Sequence, residues 1–293
     1  MDYSIGCRMP LDEWLWLNRT GIFDDVALRK FVAAFPPVEL MQNVSGLTNE
    51  QDFAAHGSDI YLAISRASPK PLTEYRNLLD FGCGCGRLAR MFKGHPGRVS
   101  ACDVDPRHVA WVQQSLDFVS ASHTSVHPPL PYREDAFDCV VSVSVFSHLT
   151  ERSQDEFLKE LNRICVPGTY LFISFHGQRA LERTVIEPPI REMVSVDGES
   201  LNTAQQQFQS DKHAFILQRG HLTSSKTSFW RRVIGTRASN VSVIEEPFEY
   251  GISFIPEAYV RKHWGRWFEI ADYWSGAIHD FQDIVVLRAR TIK

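Results

Sequence analysis

The chain has 293 residues, 44% of them apolar, which is enough to bury a sizeable core in one large domain or two small ones. A net charge of −4 gives no basic footprint for a nucleic-acid binder. No apolar run reaches the ~18 residues of a membrane span, and the opening MDYSIGCRMPLDEWLW lacks the basic start and apolar core of a secretory leader.

Residues 1–75 read as mostly helical. DDVALRKFVAAF (24–35) has helical spacing and stops before Pro36-Pro37, and NEQDFAAHGSDIYLAISRA (49–67) contains a second helix. From residue 76 the pattern changes. RNLLDF is a short buried strand ending in a glycine turn, and RLARMF (87–92) is expected as a helix. RVSACDVD is a second strand, and PRHVAWVQQSLDFV (106–119) is a helix opened by Pro106. FDCVVSVSVF is a third strand. SQDEFLKELNRIC is an amphipathic helix with Ser153 and Glu156 spaced as a capping box, and VPGTYLFISFHG is a further strand. This alternation predicts an open α/β sheet with helices on both faces.

Residues 177–248 break the rhythm with polar, loosely patterned stretches, a length that suits a lid or binding element. Order returns with PEAYVRKHWGRW as a helix, then FEIADYW and QDIVVLRAR as an antiparallel hairpin at the sheet edge. Four segments are therefore expected: an N-terminal helical cap (1–75), a cofactor-binding core (76–176), an inserted substrate or lid region (177–248) and a C-terminal completion of the sheet (249–293). The best candidate for a local basic patch is FWRRVIGTR (229–237), which also reads as a solvated helix end. Six cysteines stand at 7, 83, 85, 102, 139 and 165. Those in apolar runs behave as small hydrophobes, and free thiols in a cytoplasmic, reducing compartment are expected.

The stretch NLLDFGCGCGRLAR (77–90) admits three readings. A zinc clip on Cys83 and Cys85 lacks a second ligand pair at suitable spacing. A dinucleotide turn needs glycine where Arg87 stands. The third ligand is S-adenosylmethionine, which has no phosphate. Glycines let backbone approach its methionine end, and Asp80 at the strand end can reach its ammonium.

LLDFGCGCG resembles motif I of the class I S-adenosylmethionine-dependent methyltransferases at every position. CDVDP resembles motif II, PPLPYREDAFDCVVSVSVFSHL the entry into the fourth strand, and LNRICVPGTYLFIS the segment before the fifth. The resemblance implies a Rossmann-like, doubly wound, mostly parallel seven-stranded sheet. It implies that Asp80, Gly82, Cys83, Gly84, Gly86, Arg87, Asp103, Val104 and Ser144 hold the cofactor. Asp103 would take the ribose hydroxyls, Val104 would flank the adenine, and Arg87 would pair with the carboxylate of the methionine end or stand as a solvated charge. The acid that family members place before "LPF" is missing from HTSVHPPLPY, which leaves backbone, His127 or Leu130 for the adenine.

Histidine and tyrosine at strand ends are the candidates for acceptor chemistry. His148 is expected as the base, with packing as the alternative. His176, Tyr250 and Tyr61 are expected to line the acceptor side, or to be wall and core. The motifs of DNA amino-group and cytosine-C5 enzymes are absent, and the acids beyond the fourth strand (Glu151, Asp155, Glu156) give a metal no clear support. The whole chain is similar to bacterial small-molecule and glycan-cluster methyltransferases, which implies O-methylation of a small-molecule or sugar hydroxyl. N-methylation of an amine or peptide, with Glu245, Glu246 and Glu249 as an acidic pocket, remains open, as does cofactor binding without catalysis.

Overall fold

Short apolar runs bounded by turn residues become parallel strands when helices cover both faces. The computed structural model describes residues 9–218, 246 and 248–290. Its main sheet comprises β1 (Asn77–Phe81), β2 (Arg98–Asp103), β3 (Val119–His123), β4 (Phe137–Ser142), β5 (Cys165–Phe175), β8 (Phe268–Ile278) and β9 (Gln282–Ala289). The order is β3-β2-β1-β4-β5-β9-β8. Strands β1 to β5 pair in parallel, whereas β9 runs antiparallel to both β5 and β8. The strand order reverses between β1 and β4, which opens a crevice beyond their carboxyl ends.

The two-residue period of β1 feeds two cores. Leu78 joins Ala101, Cys139 and Val141 on one face, under α3 (Glu50–Ala67). Leu79 joins Cys102, Val140 and Leu158 on the other, under α5 (Glu151–Ile164). The remaining helices of six residues or more are α1 (Leu11–Trp16), α2 (Val38–Ser45), α4 (Pro106–Ser115), α6 (Gln178–Ile186), α7 (Pro188–Val194), α8 (Gly198–Gln209) and α9 (Glu257–His263). A separate antiparallel pair, β6 (Ala214–Leu217) with β7 (Gly251–Phe254), packs with α6 and α8 around Ala180, Leu201 and Phe208. No helix among the described residues is long and apolar enough to cross a membrane.

Several local expectations are corrected. DDVALRKFVAAF is not one helix: a single turn at Ile22–Asp24 is followed by a 3-10 segment, Val26–Phe31, because the Asp25 side chain accepts from Ala27 N at 2.8 Å and restarts the chain. RLARMF is a loop closing in a short 3-10 turn, Ala89–Phe92. It is too short between Gly86 and Gly94 to meet the cost of helix nucleation. Helix α4 ends at Ser115, and the polar, alternating VSASH beyond it is the edge strand β3, hidden because its apolar signal is weak. The cap of α5 is Thr150, which accepts from Ser153 N at 3.2 Å, while Glu156 pairs with Arg152 at 2.9 Å. The segment read as loosely patterned holds three helices between 178 and 209. FWRRVIGTR, Cys7 and Glu245 lie outside the described residues.

Candidate active site

The glycine turn after β1 bends back toward β2: Gly82 N and Cys83 N both donate to the Cys102 carbonyl, at 2.9 and 3.0 Å. Gly82 and Gly84 have φ of 77° and 53°, a region that favours glycine. Both also stand against neighbours. A Cβ at Gly82 would lie 2.2 Å from Val145 Cγ2, and one at Gly84 would lie 2.7 Å from Val44 Cγ2. Gly86 serves packing instead, facing Leu116 and Val112 of the α4 region.

Around this turn lies a cavity of about 310 Å³. One end is lined by Asp80, Gly82, Cys83, Gly84, Arg87 and Leu88. Asp80 is 2% exposed, and its Oδ2 has no hydrogen-bond partner among the described residues. Burial, and then the nearby Asp103, push its carboxyl up to about 7, with Arg87 opposing. Arg87 is itself held below its ordinary value by burial, offset by Cys85 and Asp80, so it is not a solvated helix charge. Cys83 and Cys85 form hydrogen bonds to carbonyl oxygens, of Gly84 and Leu40. Burial raises the Cys83 thiol and takes Cys85 to about 12, so both stay protonated at neutral pH.

The second end is built on β2. Asp103 accepts from Gly84 N through Oδ2 at 2.8 Å and from Asp105 N through Oδ1 at 2.9 Å, which fixes the carboxylate at the cavity wall. Val104, Thr124, Val126 and His108 complete this end. His127 and Leu130, the expected adenine contacts, are elsewhere: His127 is exposed, 3.8 Å from Glu156, and Leu130 is in the core, where its N–H donates to Glu160. His108 escaped the sequence reading. It is 7% exposed on the first turn of α4, and Nδ1 lies 3.6 Å from Asp103 Oδ1. Its spacing three residues after the cap Asp105 was the available signal.

The third side is formed by the segment after β4, with Val143, Ser144, Val145 and His148, together with Phe157, Phe248 and Tyr250. His148 Nδ1 lies 2.9 Å from the Gly251 carbonyl oxygen. A carbonyl only accepts, so Nδ1 carries the proton and the neutral ring has its lone pair on Nε2. Tyr250 stacks on this imidazole, centroids 4.7 Å apart at 12°. Tyr61 is turned into the core, edge-on to Phe92 at 5.4 Å, and does not line the cavity; its neighbour Ile60 does. His176 also stands outside the lining, between Phe254 and Phe281, where burial, with His148 second, lowers it to about 3. Glu246 receives a hydrogen bond from the Ser125 hydroxyl and Glu249 is exposed, so neither forms an acidic pocket.

Residues 79–173 match the methyltransferase domain family. The chain carries a class I methyltransferase domain. Over 129 residues it is 26% identical to ajmaline N-methyltransferase of Rauvolfia serpentina, covering 42% of this chain and 44% of that protein. Over 99 residues it is 31% identical to a probable S-adenosylmethionine-dependent methyltransferase of Mycolicibacterium smegmatis, covering 34% and 37%. The chain thus spans less than half the length of either relative. In fold, the methyltransferase domain and its flanks resemble the PH0226 protein of Pyrococcus horikoshii OT3, with a TM-score of 0.54 at 13% identity, covering 83% of this chain and 93% of that one.

S-adenosylmethionine is the cofactor of such a methyltransferase domain, and the residues present fit it. The unpartnered Oδ2 of buried Asp80 is an acceptor suited to an ammonium. The Gly82–Gly84 cradle admits backbone contact where a Cβ has no room. Asp103 holds a fixed carboxylate for vicinal hydroxyls, and the half-buried Arg87 on the cavity wall offers a cation for a carboxylate.

Proposed function

We propose that the chain transfers a methyl group from S-adenosylmethionine to a hydroxyl of a small molecule or sugar, with His148 as general base. When bound, the cofactor supplies an electrophilic methyl on a sulfonium. The observation that carries the reading is the Nδ1 hydrogen bond of His148 to Gly251, which makes Nε2 the basic nitrogen of a side chain that lines the cavity. Asp80, Arg87 and Asp103 anchor the two ends of the donor. With the donor bound, Nε2 would take the hydroxyl proton as the methyl passes from the sulfonium, which keeps the bonding pair as a neutral thioether, to the oxygen. Phe157, Phe248, Tyr250 and Leu149 give the acceptor side apolar and aromatic walls that exclude water and suit a flat ring or a sugar face. This reading keeps residues 177–248 as the acceptor-side element, supported by Phe248, and treats residues 1–75 as a cap over the core. Five buried free cysteines support a reducing, cytoplasmic setting.

The test pairs binding with turnover. S-adenosylhomocysteine binding to His148→Ala is expected to match the unsubstituted chain by calorimetry, while methyl transfer to a hydroxyl acceptor falls by about 10²-fold or more. Undiminished transfer would reduce His148 to packing. A second reading is N-methylation, favoured by the likeness to ajmaline N-methyltransferase. Transfer to amines alone, insensitive to His148→Ala, would decide for it.

A further inference from the structure

Strand β4 ends at Ser142, and Ser144 adopts a left-handed conformation with φ of 61°. A serine resists that conformation, so something must hold it there. The hold is polar. Ser144 N donates to Ser174 Oγ at 2.8 Å, the Ser174 hydroxyl donates to Gln282 Oε1 at 2.6 Å, and Gln282 Nε2 donates to Ser144 Oγ at 2.9 Å. Ser174 belongs to β5 and Gln282 opens β9, so the ring ties the ends of three strands together.

The residues after Ser144 form the acceptor side of the cavity. Val145 seats on Gly82, and His148 N donates to the Val145 carbonyl at 2.9 Å. The kink at Ser144 therefore sets Val145 against the glycine turn, and Val145 sets the single 3-10 turn, Phe146–His148, that presents the imidazole. Ser174 and Gln282 themselves stand outside the cavity lining.

We infer that Ser174 and Gln282 are positioning residues: through the kink at Ser144 they hold His148 in register with the glycine turn that carries the methyl donor. The inference rests on the reading of His148 as base. Gln282→Leu and Ser174→Ala each remove one member of the ring. Each is expected to lower kcat roughly tenfold or more, since small misplacements of a reacting group cost that much. KM for the donor and S-adenosylhomocysteine affinity stay unchanged. The imidazole carbon resonance of His148, assigned by its absence in His148→Ala, shifts in both variants. Glycine takes positive φ without help, so in a Ser144→Gly background Gln282→Leu costs little further.

Unchanged kcat with an unmoved His148 resonance would overturn the inference. So would an equal loss of S-adenosylhomocysteine affinity, which would make the ring part of the donor pocket. Either variant decides if the other does not fold. If the unsubstituted chain methylates no acceptor, the functional reading fails, and the resonance still reports whether the ring holds His148.

Discussion

At the scale of single residues, the site depends on carboxylates placed where water does not reach. Asp80 is the sharpest case: burial and Asp103 raise it to about 7. Below that pH the unliganded protein keeps the group protonated, and an incoming ammonium draws it into the charged form. Donor binding should therefore release a proton at pH 6, and affinity should rise with pH until about 7 and then level. Calorimetry in buffers of different ionisation enthalpy reads this directly. In Asp80→Asn the proton release disappears and affinity becomes flat with pH. The position of Asp80 on the cavity wall was legible from sequence because it stands at a strand end before a glycine turn. His108 was not: its spacing from the cap Asp105 marks one acid, but the approach to Asp103 on β2 comes only from the tertiary fold.

At the scale of elements, the glycine turn is seated on helix α3 as much as on the sheet. A Cβ at Gly57 would lie 2.6 Å from the Arg87 carbonyl oxygen. Helix propensity alone favours Gly57→Ala by about 1 kcal/mol. The contact is with backbone and cannot swing away, so overpacking wins, and the substitution should destabilise by about 1–3 kcal/mol in urea unfolding. It should also weaken donor binding, because the displaced carbonyl belongs to a residue of the site. Of the strands that sequence reading recovered, β1, β4, β5 and β9 have strong apolar runs, while β2 and β8 are more mixed. The misses have physical reasons of their own. β3 is a polar edge strand. The turn after Gly86 was helical in composition but short of length. The helices between 178 and 209 hide their apolar face among glutamines and serines. The cavity's third wall joins Val143–His148 to Phe248 and Tyr250, about a hundred residues apart, and only the tertiary fold brings them together.

At the scale of the whole molecule, four described histidines are held below their ordinary value by burial, His95 among them. Burial is the leading cause in each: His56 and His213 fall to about 4 and His176 to about 3. A folded value below the unfolded one means that stability is fully present above about 6.5 and is lost as pH falls toward 4 and then 3. Asp80 and Asp283, both raised by burial, work in the opposite direction, but they are outnumbered by the histidines. Denaturant midpoints should therefore drop from pH 7 to pH 4, and His176→Phe, which keeps the ring among Phe254 and Phe281 without the basic nitrogen, should shrink that drop. An unchanged pH slope in this variant would place the acid sensitivity elsewhere.

The sheet order carries a consequence for how the protein is made. Strand β9 leaves the ribosome well after β1 to β5, yet it lies between β5 and β8 and brings Gln282 to Ser144. The β8–β9 turn also reaches back to one of the first helices, where His279 rests on His56 and meets Asp59 at 3.2 Å. Parallel strands β1 to β5 can assemble while the chain is still growing. The donor-side turn can thus form before β9 is made, whereas the segment bearing His148 gains the Gln282 contact only after it. A nascent chain halted before residue 282 should acquire the β1–β4 crevice with Ser144 still lacking its Gln282 partner.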